Sequence, residues 1–274
     1  APHGSKRYGW GVASMFYGIG GPSSRKPSDS RLEADDSGEF CLYVGSIDVG
    51  QGSSTVFAQI AAEVLGCAAD RIRLITGDSD CCPDTGSAGA SKLTYVAGAS
   101  VQMAARKLKA ILCGAAAAIL KTPEEGLILD QGFFYHPESP RQRASVAQAV
   151  KRLKEEGRSP VAEGRFIPDV TPLDRETGQG SPNATYAFAT QGALVCVDME
   201  SGEVEVLSFV ASHDVGKVVN LHGVEGQIEG ALAIGLGYGL MEELLVKDGR
   251  IQNPRFSQYF IPTALDILEA TSLP

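Results

Sequence analysis

The chain has 274 residues, of which 43% are hydrophobic, and its 24 Lys and Arg against 33 Asp and Glu give a formal net charge of −9. This length and hydrophobic content predict one large domain or two small ones with a buried core. The acidic balance excludes a nucleic-acid partner, because nothing in the sequence forms a basic surface.

The six cysteines form no C-x-x-C pair and no regular spacing, which argues against a zinc site or an iron–sulfur cluster. They are interpreted as free thiols, and a cytoplasmic protein is expected. The longest apolar run, about Gly230 to Met241, is shorter than the about 20 residues that a membrane span needs, so no membrane segment is predicted. The sequence starts without Met and without the apolar core of a signal peptide, so we expect a fragment of a longer protein.

The first part of the chain, residues 1–122, has the pattern β-β-α-β-α. Alternating residues predict strands over 8–17 and 40–44, as a hairpin or meander separated by a polar stretch. Apolar spacing predicts a helix over 53–65, with Ser53 as a possible N-cap and Gly66 as its end. A strand over 71–76, an irregular loop over 77–91 and a long Ala-rich helix over 94–120 follow.

Residues 123–184 differ in kind, because seven of the chain's 14 prolines lie there. One short amphipathic helix is predicted, carrying Val146, Val150 and Leu153 on one face with Gly157 after it. The segment is interpreted as a partly ordered insertion.

Regular structure is predicted again over residues 185–274. Two strands around a Ser201-Gly202 turn form a hairpin, and a glycine-rich helix follows over about 224–245. Each glycine costs up to about 1 kcal/mol of helix propensity relative to Ala, so we expect a central, buried helix with close packing. The whole pattern predicts an α+β fold with two linked βα-type subdomains and mixed sheets, 1–122 and 185–274.

Two glycine-bearing segments are candidate ligand sites. Gly50-Gln51-Gly52 lies at a strand-to-helix turn, where backbone N–H groups face a ligand at the positive end of a helix; the alternative is a plain tight turn. No P-loop or dinucleotide fingerprint surrounds it. Residues 83–94 offer the hydroxyls of Ser87, Ser91 and Thr94 before a helix, or are merely a flexible loop with a cap.

A third candidate lies in the last part of the chain. Gln227 stands in a helix of small and apolar residues, so its amide must find a partner, either a neighbouring loop or a polar ligand. His213 and Asp214 are adjacent on a strand and point to opposite faces, so His213 is interpreted as structural. Asp48-Val49-Gly50 and Asp214-Val215-Gly216 both follow a strand and precede a helix, which leaves an internal duplication open.

In this order and at these distances, residues 45–55, 59–66, 83–94, 212–220 and 224–230 resemble the second molybdopterin-binding domain of the xanthine dehydrogenase and aldehyde oxidase family. The resemblance implies that the pterin and its phosphates are bound by Gly50, Gln51, Gly52, Ser87, Gly89, Ala90, Ser91, Thr94 and Gln227. It also implies that the cofactor's dithiolene holds molybdenum, so no protein ligand to the metal is expected.

Members of this family hydroxylate a purine, another N-heterocycle or an aldehyde using water, and pass electrons to iron–sulfur and flavin (FAD) groups. Their general base is the glutamate of a Gly-x-Gly-Glu motif, downstream of the region matching residues 259–263. The 274 residues contain no such motif, so no catalytic residue is predicted.

The resemblance implies a larger assembly around this domain. The expected partners are the N-terminal half of the large subunit and iron–sulfur and flavin subunits or domains, in an oligomer. Since the pterin, a mononucleotide or dinucleotide form, lies between domains in the family, the isolated chain is expected to be inactive and free of cofactor. The alternatives are a non-catalytic binding or assembly module of the same fold and, more distantly, a nucleotide-binding enzyme.

Overall fold

The computed structural model describes residues 4–20, 26–267 and, for the backbone alone, 271–273. The chain divides into a continuous unit, Gly18–Tyr186, and a discontinuous unit made of Ala1–Tyr17 with Ala187–Pro274. The elements in chain order are β1 (Lys6–Gly18), β2 (Ser28–Ala34), β3 (Phe40–Val44), α1 (Ser53–Leu65), a short 3₁₀ helix (Ala69–Arg71), β4 (Ile72–Thr76), a π-helical turn (Leu93–Ala97), α2 (Gly98–Leu120), β5 (Ile128–Asp130), β6 (Phe133–Tyr135), β7 (Arg143–Ser145), α3 (Val146–Glu155), β8 (Val161–Phe166), β9 (Tyr186–Asp198), β10 (Val204–Asp214), α4 (Leu221–Leu240), β11 (Val246–Lys247), β12 (Arg250–Ile251) and β13 (Thr271–Leu273).

The continuous unit is built on a four-stranded sheet in the order β4-β3-β2-β8. β3 and β4 are parallel and joined through α1, whereas β2 runs antiparallel to both β3 and β8. Successive side chains of a strand point to opposite faces, and here one face is buried: its largest members include Leu32 and Leu42, which form one core with Phe57 of α1 and Leu108 of α2. The mixed sheets and their covering helices confirm the predicted α+β class.

Most elements predicted for the first part of the chain are confirmed. α1 spans Ser53–Leu65 and ends at Gly66, which adopts a left-handed φ of 62°. Ser53 is not its N-cap, because Gly52 takes that position without a side-chain hydrogen bond. The long helix predicted over 94–120 consists of the π-helical turn followed by α2.

Strand β2 was not predicted, because its residues were read as part of a polar stretch. Its inward positions are Ser28, Ser30, Leu32 and Ala34, all buried. Two of these four are serines, so the usual alternation of apolar and polar residues is absent from the sequence. The predicted hairpin between residues 8–17 and 40–44 is therefore wrong: β3 pairs with β2, and β1 pairs with β9.

The predicted insertion, residues 123–184, is an ordered part of the continuous unit. It supplies the three-stranded sheet β5-β6-β7, helix α3 and the edge strand β8 of the main sheet. The predicted helix is confirmed as α3, which buries Val146, Val150 and Leu153 and begins with a capping box between Ser145 and Gln148. The observed division thus differs from the predicted boundaries, because β8 pairs with β2 along the chain's central sheet.

The discontinuous unit contains the sheet β1-β9-β10-β13, and its antiparallel β9–β10 hairpin confirms the predicted one. α4 covers the predicted glycine-rich helix but starts at Leu221 and ends at Leu240. The prediction of a central, buried helix is wrong for the described residues, because most of this helix is exposed or half-buried there. Only Ile228, Leu232, Leu236 and Gly237 of this helix are buried. None of the helices in the described part of the chain is long and apolar enough to cross a membrane.

Candidate functional site

The Gly50-Gln51-Gly52 turn lies between the end of β3 and the start of α1, as predicted. Gly50 and Gly52 have positive φ values of 108° and 81°, a backbone conformation that L side chains rarely adopt. Among the described residues, apart from the adjacent ones in the chain, no atom lies within 4 Å of where a Cβ of either glycine would stand. Both glycines are therefore required by backbone conformation, and the space beside them is open within the chain.

The polar groups of this turn are bound by its own side chains. The Asp48 carboxylate accepts hydrogen bonds from the N–H groups of Gly50 (2.9 Å), Gly52 (3.2 Å) and Ser54 (2.9 Å). The Gln51 carboxamide oxygen accepts from the Val49 N–H at 2.7 Å, and its nitrogen donates to the Ser53 hydroxyl at 2.9 Å. In this structure Gln51 contacts its own turn.

The second candidate segment, residues 83–94, leaves the end of β4 through an irregular loop and enters the π-helical turn before α2. Ser87, Gly89, Ala90, Ser91 and Thr94 are all exposed. Ala90 and Ser91 have φ values of 52° and 50°, and two consecutive non-glycine residues in this region hold backbone strain of about 1–3 kcal/mol each. Strained backbone and π-helical turns are both enriched at ligand sites.

The loop after β3 and the loop after β4 are joined through Thr85, which is only 2% exposed. Its hydroxyl accepts a hydrogen bond from the Gly45 N–H at 2.7 Å and donates to the Asp29 carbonyl at 3.0 Å. The Ser46 hydroxyl donates to the Gly86 carbonyl at 2.9 Å. The structure thus ties the loop after β3 to the loop after β4, at the same edge of the sheet.

Gly45 makes this junction possible. A Cβ at Gly45 would lie 2.4 Å from the Pro83 carbonyl oxygen, so a larger residue would force the two loops apart. The Gly20 N–H also donates to the Ala90 carbonyl at 2.9 Å, which holds the middle of the second segment. The exposed hydroxyls of Ser87, Ser91 and Thr94 are available as donors to a polar or anionic ligand.

Gln227 lies on α4 in the discontinuous unit, so the structure does not place it in the same compact unit as the other candidates. Its side chain is exposed. Gln227 lies off the buried face of α4, and among the described residues its amide has no hydrogen bond to a neighbouring loop. Of the two expected partners, a loop or a polar ligand, the ligand stays a prediction.

His213 and Asp214 have separate environments at the end of β10. The Nδ1 atom of His213 is buried and has no hydrogen-bond partner in the described part of the chain. Asp214 accepts a hydrogen bond from the Gly216 N–H at 3.0 Å, the same bond that Asp48 makes with Gly50. The two Asp-Val-Gly segments therefore form the same kind of local turn, in which the Asp carboxylate accepts from the N–H two residues on.

The cysteines form no disulfide among the described residues. All six are free thiols, and among the described residues no group of three or more His, Cys, Asp or Glu side chains could hold a metal ion. Loss of hydration and a hydrogen bond with Asp78 raise the pKa of the Cys81 thiol to about 11, away from the range of a reactive thiolate.

Sequence reasoning missed Asp48 and Thr85, which shape the two loops. The Asp-x-Gly sequence of residues 48–50 is typical of a turn in which the carboxylate accepts the N–H two residues on, and that signal was present. The position of Thr85 had no comparable signal, because its partners Asp29 and Gly45 are 56 and 40 residues away along the chain.

A sequence profile described as the molybdopterin cofactor-binding domain matches residues 1–268. The chain is 28% identical over 273 residues to a putative xanthine dehydrogenase molybdenum-binding subunit of Escherichia coli, covering 98% of this chain and 35% of the relative. It is 30% identical over 260 residues to a probable xanthine dehydrogenase subunit of Bacillus subtilis, covering 94% and 34%. The chain thus spans about a third of the length of these curated relatives.

Solved structures have the same fold. Reconstituted CO dehydrogenase from Oligotropha carboxidovorans matches with a TM-score of 0.83 and 25% identity, over 98% of this chain and 34% of that one. Quinoline 2-oxidoreductase from Pseudomonas putida also matches with a TM-score of 0.83, at 23% identity, over 98% and 35%.

Proposed function

Because the chain belongs to the molybdopterin cofactor-binding domain family, we propose that it is the cofactor-binding part of a molybdenum hydroxylase large subunit. The observation that carries the proposal is the junction at Thr85, which brings the glycine turn after β3 and the hydroxyl-bearing loop after β4 to one edge of the sheet inside a domain of this family. The parent protein would hydroxylate a purine, another N-heterocycle or an aldehyde with water as the oxygen source.

The described residues fit the cofactor by their donors and by the open space around them. Gly50, Gln51 and Gly52 would contact the pterin from the turn before α1, where no described side chain fills the space beside the glycines. Ser87, Gly89, Ala90, Ser91 and Thr94 would bind its polar groups from the second loop, where the three hydroxyls are exposed. Gln227 would contribute from α4. When bound, the cofactor supplies the molybdenum and its redox chemistry.

In this proposal the chain binds and orients, and it performs no proton transfer. No residue of the 274 is assigned a catalytic role, and none is assigned as a metal ligand. The N-terminal half of the large subunit and iron–sulfur and flavin subunits or domains would complete the enzyme. The isolated chain is then expected to be inactive.

The proposal is tested by measuring molybdenum and pterin in the purified parent protein with Ser91→Ala and Thr94→Val combined. We expect the variant to retain less cofactor than the wild type after dialysis, since each lost hydrogen bond is worth about 1–2 kcal/mol. The matched control is Ser159→Ala. Ser159 is an exposed serine of the same unit, and the next residue, Pro160, lies beside Ala34 at the opposite end of the main sheet.

Equal cofactor retention in the loop variant, the control and the wild type would contradict the assignment of the second loop. A parent protein that carries neither molybdenum nor pterin would instead support a non-catalytic module of the same fold. The presence of a Gly-x-Gly-Glu motif in the parent gene distinguishes these two functions before any protein is made.

A further inference from the structure

The N–H donors of the turn before α1 are hydrogen-bonded to side chains of the same turn, which is unusual for an anion site. Asp48 accepts from the N–H groups of Gly50, Gly52 and Ser54, and Gln51 accepts from that of Val49. Four N–H groups between residues 49 and 54 are therefore bound within the turn. These are the donors that a phosphate at this helix N-terminus would need.

The Asp48 carboxylate is also charged. The hydrogen bond from the Ser54 N–H is the largest cause that lowers the pKa of Asp48, and those from Gly50 and Gly52 act in the same direction. A negative side chain therefore stands at the positive end of α1, where it interacts favourably with the helix dipole. A phosphate placed there would meet a like charge at short range.

The other Asp-Val-Gly segment provides an internal comparison. Asp214 accepts from the Gly216 N–H, but α4 starts only at Leu221 and is capped by Asn220, which accepts from the Gly223 N–H at 2.8 Å. In that unit the turn and the helix start are stabilised by different side chains. In the continuous unit Asp48 does both, since Gly52 caps α1 without a side chain.

We propose that Asp48 is a positioning residue that prevents anions from binding at the start of α1. The Gly50–Gly52 turn then contacts the pterin through its shape, and the backbone N–H groups of this turn bind no phosphate. The inference rests on the proposed function for the nature of the ligand. It assigns the phosphate of the cofactor to donors other than the N–H groups of Gly50, Gly52 and Ser54.

The test uses inorganic pyrophosphate as the probe and the 274-residue chain labelled with ¹⁵N. In the wild type we expect no shift of the Gly50, Gly52 and Ser54 amide signals on titration. Asp48→Ala frees these donors and removes the charge. We therefore expect pyrophosphate to bind at these three amides at least about tenfold more tightly in the variant than in the wild type at pH 7. Asp48→Asn keeps the side-chain shape while removing the charge, and we expect it to bind more tightly than the wild type as well.

Asp35→Ala is the matched control. Asp35 also has a lowered pKa and accepts N–H bonds, from Ser37 (2.8 Å) and Glu39 (3.0 Å), but it lies in the turn between β2 and β3. It should gain no affinity. Pyrophosphate shifts of the three amides in the wild type would overturn the proposal, and so would Asp48→Ala and Asp48→Asn variants that bind no better than the wild type. This assay needs no cofactor, so a parent protein without molybdenum would refute the proposed function separately.

Discussion

Single side chains connect the loops of the continuous unit, and Thr85 is one of them. Its buried hydroxyl bonds to Gly45 and Asp29, so it holds the loop after β4 against the ends of β3 and β2. A buried N–H left without an acceptor costs about 1–3 kcal/mol. The geometry of the second candidate loop therefore depends on a buried residue.

Replacing Thr85 with Val keeps the side-chain volume and removes the hydroxyl. We expect the free energy of unfolding to fall by about 1–3 kcal/mol, because the Gly45 N–H loses its acceptor. Urea unfolding at pH 7 measures this, with Thr85→Ser as the control that keeps the hydroxyl. A Val variant as stable as the Ser variant would show that the junction contributes nothing.

Asp48 predicts a pH dependence with a definite sign. Its pKa is lowered in the folded chain, so its stabilising contribution is complete above the ordinary carboxyl pKa of about 3.9 and is lost as the pH falls through the folded value. The difference in unfolding free energy between the wild type and Asp48→Asn should therefore shrink between pH 7 and acid pH. A difference that stays constant over this range would contradict the bonding described for the carboxylate.

At the scale of elements, the close contact of α2 with β8 places the proline-rich segment inside the main unit. A Cβ at Gly164 would lie 1.9 Å from the Ser100 carbonyl oxygen and 2.7 Å from the Ala104 nitrogen. Both neighbours are helix backbone, which cannot rotate away as a side chain can. The helix can approach the strand only because residue 164 is glycine.

Gly164→Ala is therefore expected to destabilise the chain by about 3 kcal/mol, the upper part of the range for overpacking. Gly9→Ala in β1 is the control, since no atom lies within 4 Å of its added Cβ. Thermal unfolding of both variants measures the contrast. Equal melting temperatures would mean that β8 does not pack on α2 as described.

Helix α4 offers a matched pair of substitutions. A Cβ at Gly230 meets no atom within 4 Å, whereas at Gly237 it would lie 2.2 Å from Glu242 Oε1 and 2.8 Å from Pro262 Cδ. We expect Gly230→Ala to stabilise the isolated chain by about 0.5–1 kcal/mol through helix propensity, and Gly237→Ala to destabilise it. Chemical unfolding decides, and a Gly230→Ala variant less stable than the wild type would contradict the open surroundings.

The sequence predicted the elements whose pattern is local and missed those whose partners are distant. α1, α3 and the β9–β10 hairpin follow from apolar spacing and turn residues within each segment. β2 was missed because two of its four buried positions are Ser28 and Ser30. The pairing of β1 with β9 joins distant segments, since Ser14 and Thr190 are 176 residues apart. α4 is less buried than predicted, because the described residues bury only one face of this glycine-rich helix.

The candidate site was likewise predictable where its pattern is local and not where its contacts depend on other residues. The positions of both loops, at the end of a strand and the start of a helix, follow from glycine and hydroxyl patterns alone. The occupancy of the N–H donors by Asp48 does not, because a G-x-G pattern does not show which acceptor the amides face. The assignment of individual residues to the cofactor stays a prediction.

At the scale of the whole molecule, the face of α4 that carries Gly230 is a candidate packing surface for the rest of a longer protein or for the cofactor. This chain spans about a third of the curated relatives it matches. If the rest of a longer protein or the cofactor packs against that face, Gly230→Ala should lower the cofactor content of the parent protein while it stabilises the isolated chain. The same substitution then has opposite effects in the two settings, as measured by pterin content and by unfolding. An unchanged cofactor content would show that nothing packs closely at Gly230.

The central claim is that this chain binds molybdopterin as one part of a larger enzyme. Molybdenum and pterin, measured per polypeptide in the purified parent protein and in the 274-residue chain, test it most directly. The account predicts about one of each in the parent protein, as one cofactor-binding domain requires, and none in the isolated chain. Stoichiometric molybdenum in the isolated chain, or its absence from the parent protein, would contradict it.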